Sequence, residues 1–289
     1  MSIDIIQKRL DGYHCASRQD EEQALREITQ EVALAALSRT DFFTQAVLQG
    51  GTCLRVFYAL ERFSEDLDFL LKAPGSNFRL DKYLRGLFQE FSAYGYHLEV
   101  IDREDPKTAV QKVFLKDDSL GKVLHLKHIR QDRSMTKIRI KLEIDTNPPA
   151  GGHVEVKYLA FPFAADVACQ DEASLFAGKL HALLCREYTK GRDWYDLLFY
   201  SARRTMPDLA FLSAALDQNG PWAGQKITVT QQWCYAKLHE RIHAIDWAAA
   251  CADVRRFVPT RQLPSLDIWS ADLFSSCIEW LDNSCNINS

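Results

Sequence analysis

A pair of glycines followed at a short distance by two aspartates is the part of this chain best suited to chemistry: Gln49-Gly50-Gly51-Thr52-Cys53-Leu54, then Arg62-Phe63-Ser64-Glu65-Asp66-Leu67-Asp68-Phe69. Val47 and Leu48 read as the end of a buried strand, and glycines placed directly after it can take positive φ and let a ligand approach the backbone. Thr52 to Leu60, apolar at Leu54, Phe57, Tyr58 and Leu60, predicts a short helix whose first amides point at an anion. Asp66 to Leu71 predicts a returning strand. Alternate side chains of a strand share a face, so Asp66 and Asp68 emerge together. Two neighbouring carboxylates repel unless a cation sits between them, and hard oxygen ligands suit Mg²⁺. A phosphate cradle beside such a pair is the equipment of phosphoryl or nucleotidyl transfer.

Several elements must hold this stretch in place. Glu21 to Leu37, with Leu25, Ile28, Val32, Leu34, Ala35 and Leu37, predicts a helix packed on the sheet, while Met1 to Leu10 reads as a charged lead-in. Lys72 to Asn77 has the composition of a loop, and Leu80 to Tyr94 is an amphipathic helix stopped by Gly95. His97 to Asp102, Lys112 to Leu115 and Val123 to Ile129 read as strands whose pairing order the sequence leaves open. Lys137 to Asp145 alternates strictly: Ile138, Ile140, Leu142 and Ile144 face a core, and Arg139, Lys141, Glu143 and Asp145 face away from it. Asn147 to Gly152 is a loop, and His153 to Leu159 is one more strand. Beyond Phe161 the periodicity turns helical, with helices over Asp171 to Arg186, from Arg192, over Ile242 to Val258 and over Ala271 to Leu281. The expected architecture is α/β (α+β), a mixed sheet flanked by helices over 1–160 followed by a helical domain over 161–289.

With 289 residues, 47% of them apolar and 26% charged, the chain can bury a core without staples. It has no apolar run near the roughly eighteen residues of a membrane helix, and its first residues are too charged for a signal peptide. Eight scattered cysteines without a Cys-x-x-Cys pair suit a reducing compartment, so a cytoplasmic location is expected. The net charge of −4 argues against indiscriminate coating of nucleic acid. Two local basic groups remain: Lys122, Lys127, Arg130, Arg133, Lys137, Arg139 and Lys141, then Arg186, Lys190, Arg192, Arg203 and Arg204.

The ordered set GGTCLRVFYALERFSEDLDF resembles the signature of the AbiEii/AbiGii-type nucleotidyltransferase toxins, a branch of the DNA polymerase β-like nucleotidyltransferase superfamily. AGKLHALLCREYTKGRDWYDL resembles the second hallmark of that family, a helix lysine followed by Arg-Asp-x-Tyr-Asp-Leu. The resemblance implies a nucleotidyltransferase core and Mg²⁺ (or Mn²⁺) held by Asp66 and Asp68. A third carboxylate would come from Glu143, with Asp145 as the alternative. It implies a triphosphate held by Gly50, Gly51 and Thr52 with Lys141 and Lys179, and Ser64 touching phosphate or positioning Asp66. Asp193 becomes a polar partner in the site unless Asp196 takes that part; the residues alone also allow Asp193 to be a helix cap. The implied reaction transfers NMP from an NTP to an RNA acceptor, a tRNA 3′ end, in a toxin with a cognate antitoxin. Transfer to a protein hydroxyl and a non-catalytic nucleotide-binding regulator are the alternatives.

Leu238-His239-Glu240-Arg241-Ile242-His243 contains His-Glu-x-x-His, a pattern that presents two zinc-binding imidazoles on one helix. The segment after it lacks the further Gly and His of the extended motif, and no glutamate follows until Glu279, so an exposed helix face is expected and no structural zinc. His125 and His128 likewise read as surface residues.

Overall fold

The computed structural model describes residues 2–75, 77–102, 110–117, 124 and 138–282. The chain divides into two compact units, Met1–Pro148 with Val154–Cys169, and Pro149–His153 with Gln170–Ser289.

The first unit is built on a seven-stranded mixed sheet: β1 (Ala46–Gln49), β2 (Asp66–Leu71), β3 (Glu99–Asp102), β4 (Val110–Asp117), β5 (Ile138–Asp145), β6 (Val154–Leu159) and β7 (Ala165–Gln170), in the order β3-β4-β5-β2-β1-β7-β6. β2 runs antiparallel to β1 and parallel to β5, β4 is antiparallel to β3 and β5, and β7 lies parallel to β1 with Leu48 opposite Cys169. The alternation expected over Lys137 to Asp145 appears as β5, where Ile138, Ile140, Leu142 and Ile144 are buried. β7 departs from the expectation that the chain turns helical after Phe161. Its Val167, Ala168 and Cys169 form a short buried run, which periodicity alone does not distinguish from a helix.

Helices cover this sheet. α2 (Arg18–Ser38) starts three residues before the expected Glu21 because the Ser17 hydroxyl accepts the Asp20 N–H at 3.1 Å. It packs against β5 and against α5 (Asp81–Ala93). The charged lead-in is in fact a helix, α1 (Ser2–Asp11). Ile6 and Leu10, one turn apart, are its buried residues, and α1 lies on α2. The short α3 (Phe42–Gln45) brings Phe42 into edge-to-face contact with Phe69 and Tyr83, and α4 (Gly50–Phe57) packs on β1 and β2. The strand expected over Val123 to Ile129, apart from Leu124, lies outside the described residues, as do His125, His128, Lys122, Lys127, Arg130, Arg133 and Lys137.

α2 also carries an ion network in which the carboxylates of Glu27 and Glu31 are buried and their arginine partners are partly exposed. Glu31 accepts from Arg9 Nε at 3.0 Å and Nη2 at 2.5 Å, and Glu27 accepts from Arg55 Nε at 2.7 Å. Burial pushes the Glu31 carboxyl up to about 7, although Arg9 pulls it down. A carboxyl raised on folding contributes fully below its unfolded pKa, and that contribution is lost as pH rises through the folded value. We expect the parent to lose up to about 3 kcal/mol relative to Glu31→Gln as pH rises from about 4.5 to about 7. Urea midpoints of the two proteins across that range check this; parallel pH profiles would be the contrary result.

The second unit holds α6 (Glu172–Cys185), α7 (Gly191–Arg203), α8 (Leu209–Gln218), α9 (Gln231–His243), α10 (Trp247–Val254) and α11 (Ala271–Ile278). Five of the six have a side-chain N-cap, from Asp171, Asp208, Thr230, Asp246 and Ser270. The single helix expected over Ile242 to Val258 is interrupted for that reason. Asp246 accepts the Ala249 N–H at 3.0 Å and begins α10 as a separate helix. Trp194, Trp247, Trp269 and Phe274 form its aromatic core, with Trp247 and Phe274 stacked at 4.3 Å.

Candidate active site

In the first unit, register decides which groups meet. β2 and β5 place Asp66 beside Lys141 and Asp68 beside Glu143, while Asp145 falls beside Leu70. Leu67 and Phe69 of β2 and Leu142 and Ile144 of β5 are buried, so Asp66, Asp68, Lys141, Glu143 and Asp145 share the opposite face, each half-buried. Glu143 is held by Lys141 at 2.7 Å and by Lys112 of β4 at 3.3 Å. Asp145 instead accepts the Asn147 N–H at 2.9 Å, and burial raises its carboxyl above the usual range against that bond.

The glycine corner lies at the end of β1, where Gln49 pairs with Asp68. Gly50 has φ +74°, and a β-carbon there would lie 2.8 Å from Asp68 Oδ2. At Gly51 it would lie 2.7 Å from Arg62 Nη2 and 3.0 Å from Ser64 Oγ. The turn is thus moulded onto its neighbours, and only glycine leaves both carboxylate and guanidinium where they are. Thr52 is fully buried, and its hydroxyl donates to the Asp66 carbonyl oxygen, which ties the start of α4 to β2. Ser64 is buried too, its carbonyl accepting from Gln30 Nε2 at 3.1 Å. Arg62 and Lys112 were not singled out as site residues from the sequence. Arg62 stands inside the motif, but only the fold places it under Gly51, and the contact of Lys112 with Glu143 depends on the β4–β5 register.

In the second unit, the Lys179 ammonium on α6 lies 2.8 Å from Asp193 Oδ1 and 2.8 Å from Asp196 Oδ2, both on α7. The two carboxylates are three residues apart on one helix face and are almost wholly buried. Arg186 Nε approaches the other Asp193 oxygen at 3.3 Å. Burial opposes ionisation of Asp193, but Lys179, with Lys190 and Arg186 behind it, outweighs that and holds the carboxyl below its ordinary range. The N-cap position of α7 belongs to Lys190, so Asp193 serves the lysine and does not cap the helix. On α9, the His239 and His243 Nε2 atoms lie 3.3 Å apart, and Glu240 pairs with Lys237 at 2.8 Å.

The family model of the nucleotidyl transferase AbiEii toxin of type IV toxin–antitoxin systems matches residues 32–272. The chain belongs to this family. As an AbiEii-family protein it is a nucleotidyltransferase, using a nucleoside triphosphate, of the toxin class that is paired with an antitoxin. No curated protein sequence matches it. Crystal structures that share its fold include the following two. One is of a candidate nucleotidyltransferase from H. pylori, 18% identical, with TM-score 0.55 over 90% of this chain and 95% of that one. The other is of JHP933 from Helicobacter pylori, 18% identical, with TM-score 0.54 over 92% and 94%.

The AbiEii chemistry raises the question of a divalent cation. The oxygen donors of Asp66 and Asp68, adjacent on one strand face and open to solvent in part, suit Mg²⁺. Among the described residues no three His, Cys, Asp or Glu side chains already close on one point, and Glu143 has Lys112 and Lys141 as its counter-charges. No helix among the described residues is long and apolar enough to cross a membrane.

The corner makes a testable demand of its own. Gly50→Ala adds a methyl group at positive φ and against Asp68. It should cost about 1–3 kcal/mol of stability, read from the urea midpoint. If Asp68 acts on the reacting groups, transfer should fall about 10²-fold, because the added methyl displaces its carboxylate by about an ångström. Unchanged turnover in a folded Gly50→Ala protein would contradict that reading of the corner.

Proposed function

We propose that this AbiEii-family enzyme transfers NMP from an NTP to the 3′ hydroxyl of an RNA acceptor, a tRNA, in the cytoplasm, and that its cognate antitoxin restrains it. The observation that carries this reading is the β2–β5 register, which sets Asp66 and Asp68 alongside Lys141 and Glu143 at the mouth of the Gly50–Gly51 turn.

In this reading Asp66 and Asp68 would hold Mg²⁺, with Glu143, beside Lys112 and Lys141, as the third carboxylate. Bound there, the ion would supply electrostatic stabilisation to the charge spread over the transferring phosphoryl group. The remaining work falls to the chain. The first amides of α4, those of Gly50, Gly51 and Thr52, offer donors to the triphosphate at the positive end of the helix. Lys141 offsets phosphate charge as a compact cation. In the second unit, Asp193 and Asp196 hold the Lys179 ammonium in one place. Ser64 and Arg62 brace Gly51 from behind. The acceptor oxygen attacks the α-phosphorus, its bond to phosphorus forms as the bond to the β-phosphate bridging oxygen breaks, and pyrophosphate leaves.

The test offers each of the four labelled NTPs with total tRNA or total protein to the parent and to Asp66→Ala. Label entering tRNA with the parent and not with Asp66→Ala is the expected result. Label confined to the protein fraction, or entering neither, removes the RNA reading.

A further inference from the structure

The second unit contains a small cleft that nothing above uses. It is a shallow, half-open recess where α6, the turn into α7 and α9 come together, and its polar lining is Arg186, Tyr188, Thr189, Lys190, Asp193 and Arg241. Three of these are cations and one is an acid, and that acid is already engaged by Lys179 and Arg186. Among the described residues the Lys190 ammonium has no hydrogen bond or ion pair, although the residue is half-buried. The Nε of Arg241 is also buried without a hydrogen-bond partner, while its Nη2 donates to the Arg186 carbonyl oxygen.

Cations crowded together in a partly dry cleft repel one another, and each has lost hydration. Burial, with Arg192, Lys179 and Arg186 nearby, lowers the Lys190 ammonium below the usual lysine range against the pull of Asp193. An anion entering the cleft would relieve both costs. Phosphate suits this lining because its oxygens can accept from guanidinium, ammonium and the Thr189 hydroxyl at once. The first turn of α7, which begins at Gly191, adds the positive end of a helix.

We propose that the Arg186–Lys190–Arg241 cleft is a phosphate subsite that takes a backbone phosphate of the polynucleotide acceptor. The assignment of the phosphate to an acceptor rests on the RNA reading above; the cleft's affinity for phosphate does not.

The test therefore has two arms. In the first, the intact protein is treated with an amine-acetylating reagent and the extent of modification at each lysine is read by mass spectrometry. Lys190 should be acetylated faster than the exposed Lys8 and Lys226, and inorganic phosphate should slow it selectively. Lack of such protection overturns the subsite. In the second arm, affinity for a short fluorescent single-stranded RNA is followed by anisotropy as salt is varied. Lys190→Gln with Arg241→Gln should lower affinity about tenfold and flatten the log–log salt slope by about one per charge removed, with Lys190→Arg retaining the parent slope. Thermal melts of each variant establish that it is folded. Protection by NTP but not by RNA, or an unchanged salt slope, overturns the acceptor assignment. If the parent labels no RNA in the transfer assay while phosphate still protects Lys190, the RNA reading falls and the phosphate subsite stands.

Discussion

Asp68→Ala is expected to fold as the parent does and to transfer nucleotide at least about 10³-fold more slowly, the loss of several kcal/mol of transition-state stabilisation. Asp68 stands at the crossing of three strands, with Gln49 on one side and Glu143 on the other. Its Oδ2 fills the space next to Gly50 that a side chain would occupy elsewhere. Removing the carboxylate takes a half-buried negative charge from beside Glu143, and the urea melt separates any change in sheet stability from the collapse of transfer. Asp68→Asn is the sharper version. It keeps size and hydrogen-bonding capacity while discarding charge, and should be nearly as inactive. The measurement is single-turnover transfer alongside a urea melt. An active, folded Asp68→Asn would remove the carboxylate from the chemistry and leave it as a sheet residue.

The other large effect belongs to Lys179→Ala. It strands Asp193 and Asp196, both buried, without the ammonium that joins them, and should cost about 3–5 kcal/mol of stability. The pH dependence gives a signature that simple loss of packing does not. In the parent, Asp193 titrates below its ordinary 3.8, so its contribution is in place above that pH and is lost only as pH falls through the lowered value. Without Lys179, burial dominates and the carboxyl rises, so the variant should lose stability as pH climbs from about 4 towards neutrality. Urea midpoints between those limits should diverge, with the largest gap at neutral pH. Asp193→Asn combined with Lys179→Ala should recover part of the loss. A gap between parent and Lys179→Ala that does not change with pH would show that the ion triad contributes no more than bulk.

How much of this arrangement was readable without coordinates depends on how local each cause is. Alternation over Ile138 to Asp145 and the Asp66-Leu67-Asp68 spacing are one-strand properties, so both strands and the face each carboxylate takes were legible. The partner of each strand was not. Parallel pairing of β2 with β5 is a long-range choice, and it decides that Glu143 and not Asp145 stands beside Asp68. The sequence left Asp193 and Asp196 as alternatives because it could not show where α6 crosses α7. Three-residue spacing lets one lysine reach both. β7 was missed because Ala165 to Gln170 is short and buried, with too few residues to display a period. α1 was missed because its charges hid a stripe of two, Ile6 and Leu10. Arg62 shows a further limit: a guanidinium 2% exposed beneath a glycine cannot be read from a motif that admits arginine anywhere on the surface.

Lys112 and Lys141 flank Glu143 before any ligand arrives. A domain whose folding depends on its metal assembles around the ion and falls apart when the ion is withdrawn. In the proposed reading the two lysines serve as counter-ions for that carboxylate at the sheet edge, and loading a cation there would exchange one positive partner for another.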